Sequence, residues 1–155
     1  MSLIIREAGR EDVPAILSLI KELAQYEKLT DEVIADEQLL TQNLFVHKYA
    51  NVFLAEYDKV PAGYALYFYN FSTFVGKPGI YLEDIYVKPE FRGKGIGKAL
   101  FNELKFLAKE KNCGRIEWCV LKWNKPSIEF YLSLGAKPMD EWSVFRLKEE
   151  FFQEF

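Results

Sequence analysis

The chain has 155 residues, half of them hydrophobic and 16% aromatic, which is enough for one domain, residues 1–155, with a sizeable core. A net charge of −3 and a pI near 5.3 argue against a general nucleic-acid binder. The single histidine, His47, leaves no zinc site and no triad built on a second imidazole, and the longest apolar run, Ala62 to Tyr69, is too short to span a bilayer.

Leu3 to Arg6 is a short strand candidate. Asp12 suits an N-cap, with Pro14 tolerated in the first turn, and Val13, Ile16, Leu17, Ile20, Leu23 and Ala24 then recur at helical spacing to about Glu27. Glu37 to Leu44 is a second helical stretch. Val52 to Tyr57 and Gly63 to Phe71 read as strands around an Asp58-Lys59-Val60-Pro61-Ala62 turn, and Ile80 to Val87 as the third strand of this run. Ile96 to Lys111 is a long amphipathic helix with Leu100, Leu104, Leu107 and Ala108 on its apolar face, stopped by Asn112 to Gly114. Arg115 to Leu121 is a strand, Lys125 to Leu134 a short helix ended by Gly135, and Ser143 to Lys148 a last strand. This order predicts an α/β fold with a mixed sheet. The two cysteines, Cys113 and Cys119, come with no secretory signal, so a reducing, cytoplasmic setting is expected.

The most informative segment is Leu82-Glu83-Asp84-Ile85-Tyr86-Val87-Lys88-Pro89-Glu90-Phe91-Arg92-Gly93-Lys94-Gly95-Ile96-Gly97. An apolar strand ends in a glycine-rich loop that opens a helix. Glycines let the backbone approach a ligand closely, and the helix start offers unpaired N–H groups and a positive dipole end suited to phosphate. Arg92, Lys94 and Lys98 add charge. The alternation of Gly93, Gly95 and Gly97 is neither the dinucleotide fingerprint nor a P-loop, since Ala99 follows Lys98. Charge is segregated: Lys88, Arg92, Lys94, Lys98, Lys105, Lys109, Lys111 and Arg115 are basic, whereas Glu27, Asp31, Glu32, Asp36 and Glu37 are acidic. A solvated face explains such runs, and so does an anionic cofactor opposite a cationic substrate.

Arg-x-x-Gly-x-Gly after a Val-x-Pro turn resembles the acetyl-CoA-binding motif of the GNAT superfamily of N-acetyltransferases. A second segment, Trp123-Asn124-Lys125-Pro126-Ser127-Ile128-Glu129-Phe130-Tyr131 before Leu134-Gly135-Ala136, resembles the later CoA-contacting segment of that superfamily. The resemblance covers nearly the whole chain. It implies the GNAT acyl-CoA N-acyltransferase fold, a mixed, mostly antiparallel sheet of about six to seven strands flanked by about four helices. It also implies acetyl-CoA as cofactor. Arg92, Gly93, Lys94, Gly95, Ile96, Gly97 and Lys98 would meet its diphosphate, Ile85, Tyr86 and Val87 its pantetheine, and Asn124, Lys125, Pro126 and Ser127 further cofactor atoms.

A primary amine with a pKa near ~10.4 is almost wholly ammonium at neutral pH and must lose a proton before it attacks a thioester. Glu83, just before the cofactor edge, is the expected base; its neighbour Asp84 points to the opposite face if the strand is regular. Tyr131 is the expected acid for the departing thiolate. Cys119 as an acyl carrier is disfavoured, because a strand cysteine without a histidine is more often a small buried hydrophobe. Trp118 and Trp123 read as packing residues, with Trp118 also near the acceptor.

Leu19 to Glu27, Tyr81 to Asp84 and the two cofactor segments resemble spermidine/spermine acetyltransferase and its diamine and thialysine relatives. That subfamily implies an acceptor side formed by Tyr26, Glu27, Glu83, Glu117, Trp118, Cys119, Asp140 and Glu141, a small cationic amine as substrate, and a homodimer. Two departures stand out. Leu134 occupies a place where the subfamily carries a basic residue, and the acidic segment before the last strand is shortened to Asp140-Glu141. The competing functions are a protein or peptide N-acetyltransferase acting on lysine or an N-terminus, and an idle acyl-CoA sensor, against which Tyr131 is retained.

Overall fold

The computed structural model describes residues 2–155. The chain forms two compact units, one running to Cys119 and the other Val120–Phe155.

The first unit carries five strands, β1 (Leu3–Glu7), β2 (Asn51–Tyr57), β3 (Val60–Ser72), β4 (Lys77–Val87) and β5 (Ile116–Trp118), in the order β1-β2-β3-β4-β5. The first four pair antiparallel, and β5 joins β4 in parallel after the crossover helix α3 (Ile96–Glu110). Helix α1 (Val13–Tyr26) and the short α2 (Glu37–Leu40) separate β1 from β2. The expected helix through Leu44 is α only to Leu40 and continues as a π-helical stretch, Thr41–Val46. Asp58 and Lys59 both take positive φ (48° and 68°), which makes the β2–β3 connection a two-residue hairpin of the type that matches strand twist.

Alternation along the strands makes two buried faces. Leu54, Tyr64 and Tyr86 pack with Ile16, Leu19 and Leu23 of α1 and with Leu44. The opposite face presents Phe53, Ala65, Tyr67, Ile80 and Leu82, and α3 lies against these strands with Ile96, Leu100, Phe101 and Leu104 buried. Leu107 and Ala108 are only partly buried, so the apolar face of α3 is centred a turn earlier than the spacing suggested. At about 25 cal/mol per Å² of apolar surface, each buried leucine or isoleucine contributes about 1.5–3 kcal/mol to holding these layers.

The second unit contains α4 (Lys125–Ser133) and a short 3-10 turn, Glu149–Phe151. Asn124 caps α4 by accepting a hydrogen bond from the Ser127 N–H (3.4 Å). At the other end Gly135 takes φ +91°, its N–H donates to the Leu132 carbonyl (3.0 Å), and the Ala136 N–H donates to the Tyr131 carbonyl (3.2 Å). This closure explains why a glycine ends the helix. Two expectations are corrected. Arg115 to Leu121 forms a strand only over Ile116–Trp118, and Ser143 to Lys148 forms none, so the sheet has five strands rather than six or seven. The last segment has strand-like alternation, but a strand requires a ladder, and no described residue supplies one.

Candidate functional site

Beyond β4 the chain makes a 3-10 turn, Pro89–Phe91, and reaches the glycine loop. Gly93 and Gly95 take φ of +78° and +79°, the left-handed region where an L side chain is strained. Gly97 lies inside α3. A Cβ placed on Gly93 or Gly95 would meet no protein atom within 4 Å, so the loop borders open space. The first helical bond of α3 runs from the Ala99 N–H to the Gly95 carbonyl (2.9 Å). The amides of Ile96, Gly97 and Lys98 therefore precede the ladder, and no side chain caps them. Amide donors, a helix dipole end and exposed Lys94 and Lys98 fit a diphosphate. Lys94 Nζ sits 5.2 Å from the centre of the Tyr57 ring.

The strand leading to this loop has a free edge. β5 pairs with β4 only at Ile80, Tyr81 and Leu82, whereas Ile85, Tyr86 and Val87 pair with β3 on their other side. The outer backbone groups from Glu83 to Val87 thus lack a β5 partner, and an extended ligand could bond them. Arg92 Nε donates to the Val87 carbonyl (3.0 Å).

At the other end of this edge β4 is irregular. Leu66 faces Asp84 and Tyr67 faces Leu82, leaving Glu83 as an extra residue, a β-bulge. The strand is therefore not regular here, and regularity is the condition on which Glu83 and Asp84 are expected on opposite faces. Asp84 shares the face of Tyr64 and Tyr86, and the buried Tyr64 hydroxyl donates to Asp84 Oδ2 (2.9 Å). Burial raises the Asp84 carboxyl above its ordinary value; the Tyr64 bond opposes this and the Glu83 charge adds to it. Glu27, the C-cap of α1, is also raised, chiefly by burial and then by the Asp84 charge. A carboxylate at a helix C-terminus faces the negative dipole end, which acts in the same direction. Glu83 itself is exposed. Lys28, the next residue after Glu27, takes φ +62° so that the Leu29 N–H reaches the Ala24 carbonyl (2.8 Å), and this fixes the turn that carries Glu27. Asp84 thus feels the charge of both Glu27 and Glu83 beside the Tyr64 hydroxyl, and an ammonium group would offset it. Asp84 was missed in the sequence. Its signal is the spacing: Ile80 and Leu82 alternate, then Glu83-Asp84 adds one polar residue before Ile85.

Tyr26 closes α1, and the Arg92 guanidinium carbon lies over its ring at 5.2 Å and over the Tyr86 ring at 5.7 Å. On β5, Glu117 pairs with Arg115 (3.2 Å) and Trp118 meets Phe101 edge-on at 5.1 Å, the packing role expected of it. Cys119 is exposed, not a buried hydrophobe, and its sulfur lies 3.0 Å from the Tyr81 hydroxyl. Asn124 caps α4 and Lys125, Pro126, Ser127 and Tyr131 lie on it in the second unit, which also carries the exposed Asp140 and Glu141 in a separate turn.

Residues 13–136 match the family model of the acetyltransferase (GNAT) family. The chain is 39% identical to a thialysine N-epsilon-acetyltransferase of Sus scrofa, over 99% of this chain and 96% of that protein. It is 31% identical to an L-ornithine N5-acetyltransferase of Arabidopsis thaliana, over 96% and 86%. Among solved structures, an integron cassette protein from the mobile metagenome of V. cholerae superposes with a TM-score of 0.82 at 27% identity, covering 99% of this chain and 97% of that one.

Proposed function

Because this chain belongs to the acetyltransferase (GNAT) family, in its diamine and thialysine branch, we propose that it transfers an acetyl group from acetyl-CoA to a primary amine of a small cationic acceptor. The acceptor class is a polyamine, a diamine or a lysine-like amine such as thialysine. The carrying observation is one continuous strand, β4, whose free edge leads from the Glu27–Glu83–Asp84 carboxylates to the open, amide-lined start of α3.

Bound acetyl-CoA supplies an acyl group on a thioester. The amides before the ladder of α3, with Lys94 and Lys98, would hold its diphosphate and the Ile85–Val87 edge its pantetheine, and the family resemblance assigns further cofactor contacts to Asn124, Lys125, Pro126 and Ser127. Glu27 and Asp84 hold the acceptor ammonium, whose positive charge relieves the repulsion between them and favours the ionised form of both. Glu83 is the base. It is exposed, so a proton taken from the amine passes on to water, whereas Asp84 is tied to Tyr64. On the family resemblance, Tyr131 would give a proton to the departing thiolate. The two units serve as one acetyltransferase domain, and two chains form a homodimer, a reading supported by the subfamily resemblance and by exposed Phe71 and Phe74 at the β3–β4 hairpin. Two free thiols suit the cytoplasm; among the described residues no helix is long and apolar enough to cross a membrane.

A panel of polyamines, diamines, lysine analogues and lysine-containing peptides tests the acceptor class. Turnover of free amines well above peptides is expected. Preferential acetylation of peptides would replace this reading with a protein acetyltransferase.

A further inference from the structure

We propose that Arg92 is a positioning residue that locks the last turn of α1, and with it Glu27, against the end of β4. The inference rests on the proposed acceptor role of Glu27 and deepens it. Arg92 opens the glycine loop, where a phosphate contact is the obvious assignment. Its side chain is engaged elsewhere. Nε donates to the Val87 carbonyl (3.0 Å), and the guanidinium carbon stands 5.2 Å from the centre of the Tyr26 ring and 5.7 Å from that of Tyr86. One planar cation thereby touches three pieces of chain: the C-terminus of α1, the end of β4 and the start of the loop. Stacking on two rings while donating along its edge is a use of arginine that lysine cannot copy.

The surrounding contacts run the same way. Glu22, one turn before Tyr26, pairs with Lys88 (3.6 Å), the residue that follows β4. The end of α1 is thus fastened to the end of β4 and the residue after it by Lys88–Glu22 on one side and by Tyr86–Arg92–Tyr26 on the other. Glu27 follows Tyr26 directly and is held at the C-cap by the strained Lys28 turn. The loop that would receive the coenzyme and the carboxylate that would receive the amine therefore share a single side chain. Arg92 sets where Glu27 stands relative to Asp84, and anything that orders the loop also orders the acceptor side.

The test uses the full chain with Arg92→Lys, Tyr26→Leu and the double variant. In Arg92→Lys, the acceptor KM rises about tenfold while the acetyl-CoA dissociation constant stays within about threefold. The double variant is no worse in acceptor KM than the poorer single variant, because both remove one contact. In the unliganded protein, hydrogen exchange at the Glu27, Lys28 and Leu29 amides quickens in Arg92→Lys. Unchanged exchange and unchanged acceptor KM overturn the proposal, as does a tenfold loss of coenzyme affinity with acceptor KM intact, which would make Arg92 a phosphate ligand. Failure of the unaltered chain to bind acetyl-CoA would overturn the loop reading instead, and the exchange measurement would still decide the role of Arg92.

Discussion

Gly95→Ala separates the two reasons for a glycine at the start of α3. The residue takes φ +79°, so an alanine there costs roughly 1–2 kcal/mol of backbone strain. A Cβ at this position meets nothing within 4 Å, so no steric cost within the protein is added. For a chain of this size that loss lowers the melting temperature by about 2–4 °C per kcal/mol. If the open space is where a diphosphate lies, the methyl group intrudes on it. Losing one charge-assisted hydrogen bond, about 1.5–3 kcal/mol, weakens acetyl-CoA binding about 10- to 150-fold. Gly76 provides the control. It has φ +73° and equally empty surroundings, but it lies on the β3–β4 hairpin, away from the loop. Gly76→Ala should show a similar fall in melting temperature with unaltered coenzyme affinity. Thermal unfolding and titration calorimetry read the two effects. Equal coenzyme affinities in the two variants would refute the assignment of the loop, whatever their stabilities.

Tyr131→Phe is expected to lower turnover about 10²- to 10⁴-fold while leaving acetyl-CoA affinity in place, and unchanged turnover across the pH range would remove the proposed acid. Glu83→Gln should abolish the acidic limb of the pH–rate profile; a retained limb would point to a different base. Asp84→Asn keeps an acceptor for the Tyr64 hydroxyl but removes the charge, and it should raise acceptor KM more than it lowers turnover. The same variant has a predicted effect on stability. The folded-state affinity of Asp84 for its proton is raised by burial, so as pH rises above the ordinary carboxylate range the unfolded chain releases its proton first and the folded state loses stability. Denaturant titrations should find Asp84→Asn gaining on the unaltered chain as pH rises through that window; a gap that does not change with pH would contradict the burial of the charge.

The cofactor loop could be read from the sequence because its chemistry is local: glycines, a helix start and basic residues are adjacent in the chain. The strand and helix cores followed from period, as with Ile16, Leu17 and Leu23 on α1 or Ile80 and Leu82 on β4, although the buried Leu19 falls outside the periodic set and Ile20, which belongs to it, is only partly buried. Three features were not readable in the same way. The bulge at Glu83 is a property of the pairing with Leu66 and Tyr67, which alternation along β4 alone does not show. The stretch Ser143 to Lys148 has the composition of a strand, but a ladder partner is a tertiary fact. Arg92 sits inside a phosphate motif, and only the fold brings Tyr26 from α1 beneath it.

The most direct measurement is titration of the purified chain with acetyl-CoA by calorimetry at two temperatures. Saturable one-to-one binding is predicted, in the micromolar range of about −8 kcal/mol, with a heat that grows more negative on warming as apolar surface is buried. No heat of binding at either temperature would contradict the claim that the start of α3 is a coenzyme site.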